Sequence, residues 1–265
     1  LDELLTNMPL SEISRWISLD IADDDVRNYL FNKSLYPSSL PVEEKDLAIE
    51  QAVARQVIRG ALKKASERFP DKEFNYPKHL LPWFEPIIAA GSVLTQSPSV
   101  DQTALMLIDS LQPTGVTTLL LDHNYLTSAL GAAASINQLM VVHVLETEAF
   151  MHLGTVITPV GEAPIGTPVL RLQMIRDDGQ DVDLEIQYGD LELIPLPVGQ
   201  KARLQLYPLH LFDVGMGAPG RGGAMRVMGG ELGVIIDARG RPLELPDDRN
   251  ERSELLAKWC RALTG

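Results

Sequence analysis

Pro86-Ile87-Ile88-Ala89-Ala90-Gly91-Ser92-Val93-Leu94-Thr95 reads as a buried strand that runs into a turn of small residues. The β-branched pair Ile87–Ile88 favours a strand. Gly91 has no Cβ, so a flat ligand can approach the backbone of the turn. Further along, Ser128-Ala129-Leu130-Gly131-Ala132-Ala133-Ala134 reads as a helix with one face stripped to Gly and Ala. Such a face lets a second backbone pack very close. Between and around these segments strand and helix alternate: Ile87–Ala90, a helix over Ser99–Leu111, a strand over Val116–Leu121, a helix over Tyr125–Ile136 and an apolar run over Leu139–Leu145, taken as a buried strand. Short β-rich runs separated by helices imply a parallel sheet with both faces covered.

Working outward, residues 1–70 read as helical. Leu10, Ile13, Trp16 and Ile17 fall at helix spacing, and Asp23-Asp24-Asp25 suits the start of a second helix. Pro37–Pro41 is a break, and Glu43–Arg68 is one long helix with an apolar stripe. After about Met151, prolines and glycines recur and period-two stretches appear at Val169–Ile175, Val182–Gln187, Leu191–Ile194 and Ala202–Tyr207. An Asp-Gly pair within Arg176–Gln180 signals a hairpin. This part reads as an antiparallel β barrel or sandwich, folded separately from the preceding sheet. Pro246-Asp247-Asp248 then caps a last helix with Leu255, Leu256, Trp259 and Leu263 as its stripe. The expected division is 1–78 helical, 79–150 α/β, 151–246 β-rich and 247–265 a C-terminal helix.

The 265 residues carry a net charge of −13, which argues against nucleic acid as a partner. The single cysteine, Cys260, excludes a disulfide framework and a Cys-based zinc site. It fits a reducing cytosol and is expected as a buried thiol on a helix. Nothing resembles a signal peptide or a membrane span, so a cytoplasmic location is expected. The start at Leu1 rather than Met suggests a fragment. The five histidines have no metal-ligand spacing and are expected to be structural or on the surface, and no nucleophile elbow occurs. No catalytic residue and no metal ligand is therefore assigned.

Gly215-Met216-Gly217-Ala218-Pro219-Gly220 matches the dinucleotide pattern by letter, but a strand-like run and not a helix follows it. A glycine-rich surface loop is expected, in which Gly217 and Gly220 with Arg221 and Arg226 can form an anion-binding nest. On the long helix, Arg55, Arg59 and Lys63 share one face. That face is either solvated or one wall of a nucleotide cleft.

The order of Ile87–Ser97 and Asp122–Ala134 is similar to the last landmarks of the actin-like ATPase superfamily, which includes sugar kinases and chaperone ATPases. Four longer segments resemble the glutamate-mutase-associated MutL family: Asn28–Lys33, Ala48–Arg55, Leu107–Pro113 and Gly229–Leu243. The superfamily resemblance implies that Gly91, Ser92, Val93 and Thr95 contact adenosine, with Arg55 and Arg59 beside them. It implies that Gly131, Ala132 and Ala133 meet the other half of the ATPase. The family resemblance implies an ATP-dependent accessory or reactivase-like protein beside a cobalamin-dependent mutase, with ATP and Mg²⁺ as cofactors of the complete protein. The alternative is a non-enzymatic module that docks onto a larger assembly. The superfamily's phosphate loops, Asp-x-Gly-x-(Thr/Ser), do not occur, and Ser92 stands where many relatives carry a second glycine. No tight nucleotide binding and no hydrolysis are expected of this chain without a partner half.

Overall fold

The computed structural model describes residues 9–66, 83–145, 147, 149–177 and 179–264. Among these are eight helices and two sheets. The N-terminal helices are α1 (Leu10–Ser14), α2 (Asp23–Leu35) and α3 (Glu44–Ser66). A short strand β1 (Ile87–Ala89) leads through Gly91 into α4 (Ser92–Thr95), then α5 (Val100–Leu111) and β2 (Gly115–Leu121). Two helices, α6 (Leu126–Ala134) and α7 (Gln138–Leu145), precede β3 (Met151–Thr158). The strands β4 (Pro168–Arg176), β5 (Val182–Gln187), β6 (Leu191–Ile194), β7 (Lys201–Pro208), β8 (Gly223–Met228) and β9 (Gly233–Asp237) follow, and α8 (Arg249–Thr264) closes the chain. The expected cap of α8 is present: Asp248 Oδ1 accepts the N–H groups of Asn250 and Glu251, both at 2.9 Å.

The first sheet has the order β1-β2-β3-β9-β6 and the second β5-β4-β7-β8. β1 runs parallel to β2 and β3 parallel to β9, whereas β2–β3 and β9–β6 are antiparallel. The expectation of a β unit separate from the preceding sheet is thereby corrected. β3, β6 and β9 all belong to the sheet that β1 and β2 begin. Among the described residues the four-stranded sheet is open and no barrel closes. Period-two alternation identifies a strand but not the neighbour it pairs with. The clue lies in burial: β9 is buried at all five positions, as a central strand covered on both faces must be.

The five-stranded sheet separates two cores. Ile13, Trp16, Leu30, Ile49 and Trp259 of the helical layer pack on one face with Leu119, Leu153 and Ile235. On the other face Val116, Ile157 and Ile236 pack with Leu172, Met174, Leu204 and Leu206 of the second sheet. The run Leu139–Leu145, expected as a buried strand, is the helix α7 and has no buried residue. Short uncharged apolar runs do not distinguish strand from helix.

Polar groups tie the helical layer to the sheet. Arg239 donates from Nη1 to Asp109 Oδ1 on α5 (2.9 Å) and from Nε to Asp237 Oδ1 on β9 (2.8 Å). Arg55 of α3 donates to the other oxygen of Asp109 (2.9 Å), and Arg241 donates to Asp237 Oδ2 (2.6 Å). The Arg239 guanidinium also lies 4.5 Å from the centroid of Trp259 on α8. Burial pushes the Asp237 carboxyl up, but the facing Arg239 and Arg241 outweigh it and hold it far below the usual carboxylate range. With the folded value below the unfolded one of about 4, the stabilisation is fully present above that pH. It is lost as pH falls further. The urea midpoint is expected to hold from neutral pH down to about 5 and to fall below about 4. In Asp237→Asn, part of that acid-dependent fall disappears.

Candidate functional site

The turn after β1 lies at the carboxyl end of the strand, as its sequence predicts, and it opens on a cavity. Gly91 has φ +116°, a conformation that a side chain rarely adopts, and nothing lies within 4 Å of where its Cβ would stand. Its carbonyl accepts the N–H groups of Leu94 (3.1 Å) and Thr95 (3.0 Å), which bends the chain at once into α4. The cavity has a volume of about 340 Å³. Ala90, Gly91, Ser92 and Val93 form its rim, and Val53, Ala54, Val57 and Ile58 of α3 form its apolar wall. One end is polar. There Glu50 accepts from the Tyr29 hydroxyl (2.5 Å) and pairs with Lys33 Nζ (2.8 Å). Burial and then Glu50 push the Tyr29 phenol well above its ordinary value, so it stays a donor.

The landmarks at Ile87–Ser97 and Asp122–Ala134 meet in space. The Asp122 amide donates to Ala89 O (2.8 Å), and the Thr95 and Tyr125 hydroxyls are 2.8 Å apart. Buried Asp122 accepts from the N–H groups of Leu126 (2.8 Å) and Thr127 (2.7 Å) at the start of α6. Burial pushes its carboxyl up, but the bonds from Thr127 and Leu126 outweigh it and keep it below its ordinary value.

The structure does not gather all the expected residues. Gly91, Ser92 and Val93 line the cavity, whereas Thr95 turns to Tyr125. Arg55 is buried against Asp109, with its guanidinium 5.7 Å from the Trp16 centroid. Arg59 lies over the same ring at 5.9 Å. Arg55 and Arg59 therefore face α1 and the core, Lys63 is exposed, and the neighbouring stripe of α3 walls the cavity. Spacing groups the three cations on one face but does not say which way that face turns. Glu50 and Lys33 were missed as a pair, although each lies in one of the four motif segments.

Gly131 and Ala132 are exposed, Ala133 is half-buried, and α6 buries no residue. The loop with Gly217 and Gly220 lies elsewhere, with Arg221 folded over its own glycine: Nη1 is 3.5 Å from a Cβ position at Gly217. A strand follows this loop, as expected, and Arg226 lies on it. His152 lines a second, larger cavity; burial pushes its imidazole below the ordinary value. His123, His143 and His210 are exposed, and His79 lies outside the described residues. Cys260, expected as a buried thiol, is exposed on α8. Among the described residues no group of acidic, His or Cys side chains is arranged to hold a metal ion, and no helix is long and apolar enough to cross a membrane.

A family model described as MutL protein matches residues 1–149, more than half of the chain. The chain belongs to this family. It is the glutamate-mutase-associated MutL family, so membership links the chain to an accessory role beside a mutase. No curated protein and no solved structure matches it. The MutL match takes in the Gly91 turn, the cavity, α6 and Asp109, whereas Asp237, Arg239 and the Gly217 loop lie beyond it.

Proposed function

We propose that the chain is the nucleoside-binding part of an ATP-dependent accessory protein that serves a cobalamin-dependent mutase. The observation that supports this is the Gly91 turn on the rim of a cavity large enough for a small ligand, apolar along one wall and charged at one end. A base packs on Val53 and Val57, close to the open backbone of Gly91. Lys33 and Glu50 offer a donor and an acceptor to its polar edge. The actin-like resemblance assigns the triphosphate and Mg²⁺ to loops of the Asp-x-Gly-x-(Thr/Ser) type, which this sequence does not contain. Phosphoryl transfer depends on positioning the phosphates and metal, so the chain binds the nucleoside weakly and does not hydrolyse ATP unaided. In the same reading, the Gly131–Ala133 face of α6 meets the half of the ATPase that carries those loops.

Calorimetry with adenosine and with ATP plus Mg²⁺, alongside a phosphate-release assay, tests this. Similar weak affinity for both ligands is expected, without turnover. Val57→Glu places a charge on the apolar wall at an already exposed position and is expected to weaken binding about tenfold, or about 1.4 kcal/mol. Absence of adenosine binding, or binding that Val57→Glu leaves unchanged, overturns the assignment. Turnover that survives repurification and is abolished by Gly91→Val shows a complete catalytic site.

The exposed hairpin of α6 and α7 favours a second reading, a docking module without nucleotide. Ile136 is 89% and Leu139 72% exposed there. A mutase or other assembly that binds the chain equally well with and without nucleotide supports that reading.

A further inference from the structure

β8 is the outermost strand of the second sheet and pairs only with β7. Every second backbone N–H and C=O along it therefore points away from the ladder. Among the described residues, no backbone group of 224–228 bonds to backbone outside that ladder. This edge borders the larger cavity, of about 850 Å³. Four consecutive residues of β8, Met225 to Met228, line that cavity, with Gly229 just after them. Successive side chains of a strand point to opposite faces, so a cavity that touches four in a row meets the strand edge-on. The facing wall is a sheet surface made by Val116, Thr118 and Leu120, spaced by two along β2. Trp83 and Met216 also line the cavity, and with Met225 and Met228 they give an adaptable apolar lining.

Charge gives a second, independent observation. Arg203 and Arg226 stand directly opposite one another on β7 and β8, and both are exposed. Like charges in register repel. Neither has an ion-pair partner among the described residues, although the chain carries a net charge of −13. Lys201 stands in the next register but one, opposite Met228. Two carboxylates, Glu85 and Glu231, line the cavity, but Glu85 accepts from Thr118 and neither forms an ion pair with Arg203 or Arg226, so the two cations still lack a carboxylate.

We infer that the β8 edge and its cavity bind an extended, acidic segment of a partner protein as an added strand. The added strand satisfies the outward backbone groups of β8 and lays alternate apolar side chains on Val116, Thr118 and Leu120. A carboxylate of the segment meets Arg203 and Arg226. A second copy of this chain is the poorer occupant, because β8 edges placed side by side bring Arg203 and Arg226 of one copy towards those of the other. This inference is independent of the nucleoside site.

The test uses the full chain and a fluorescent peptide of alternating leucine and glutamate, as long as the six residues of β8. A leucine–lysine peptide and an N-methylated leucine–glutamate peptide are the comparisons. Anisotropy is expected to show binding of the glutamate peptide only, at least tenfold weaker in Arg203→Glu with Arg226→Glu. The lysine peptide is expected to bind that doubly reversed chain. If the double variant does not fold by circular dichroism, Arg226→Gln is used, and binding must weaken as salt rises. Equal binding of glutamate and lysine peptides, undiminished binding of the N-methylated peptide, or no binding overturns the inference. So does sedimentation that shows a dimer without peptide which the charge reversal dissociates, because the edge then belongs to a second copy.

Discussion

Replacing Asp237 with alanine is expected to destabilise the fold by about 3–5 kcal/mol, the cost of stripping one partner from a buried ion network. The Asp237 carboxylate takes three side-chain hydrogen bonds, two from Arg239 and one from Arg241. Both guanidiniums have side-chain exposures of 0%. Neither can turn to water when the carboxylate is removed, so the charge remains desolvated and unmatched. Arg241 keeps the carbonyls of Pro113 (3.1 Å) and Gly240 (2.8 Å), and Arg239 keeps Asp109. Those contacts set the loss below that of an isolated charge. Urea unfolding of the variant measures it. Adding Arg241→Met to Asp237→Ala removes one stranded charge and is expected to recover part of the loss, since the two sites are coupled. A loss under 1 kcal/mol in the single variant contradicts this account.

Gly233→Ala is expected to cost about 3 kcal/mol, combining roughly 1 kcal/mol of left-handed strain with overpacking. Gly233 opens β9 at φ +81°, and its Cβ position lies 2.5 Å from the Ile194 carbonyl oxygen. The clash is with backbone at the β6–β9 junction, so a rotamer change does not relieve it. Gly60→Ala in α3 is the matched control. It has ordinary helical geometry and nothing within 4 Å, and is expected to be neutral or stabilising by about 0.5–1 kcal/mol. Thermal unfolding of the pair separates the two cases. Equal effects at residues 60 and 233 overturn the close-approach explanation.

The parts of the fold that were legible in the sequence are those set by local signals. The stripe of α3, the Asp248 cap of α8 and the Gly91 turn each depend on residues within a few positions of one another. Pairing of β3 with β9 does not, because the partners are about eighty positions apart and neither strand alternates: β9 is buried throughout and β3 over its last six positions. Arg55 shows the same limit at the site. Its membership of a basic stripe was legible, but its partner Asp109 is 54 positions away, so its burial was not. The polar end of the cavity was legible only as two separate motif segments, which folding brings together at Lys33 and Glu50.

The bond between Asp109 and Arg239 joins positions 130 apart, and the end of the family match at residue 149 falls between them. The residues after 149 also supply three of the five strands in the sheet that β1 and β2 begin. The two stretches therefore have to be inherited together. A recombination between diverged relatives near position 149 keeps this network only when the arginine that one parent supplies at 239 meets a carboxylate that the other supplies at 109, which makes that point a poor crossover for evolution and for library design alike.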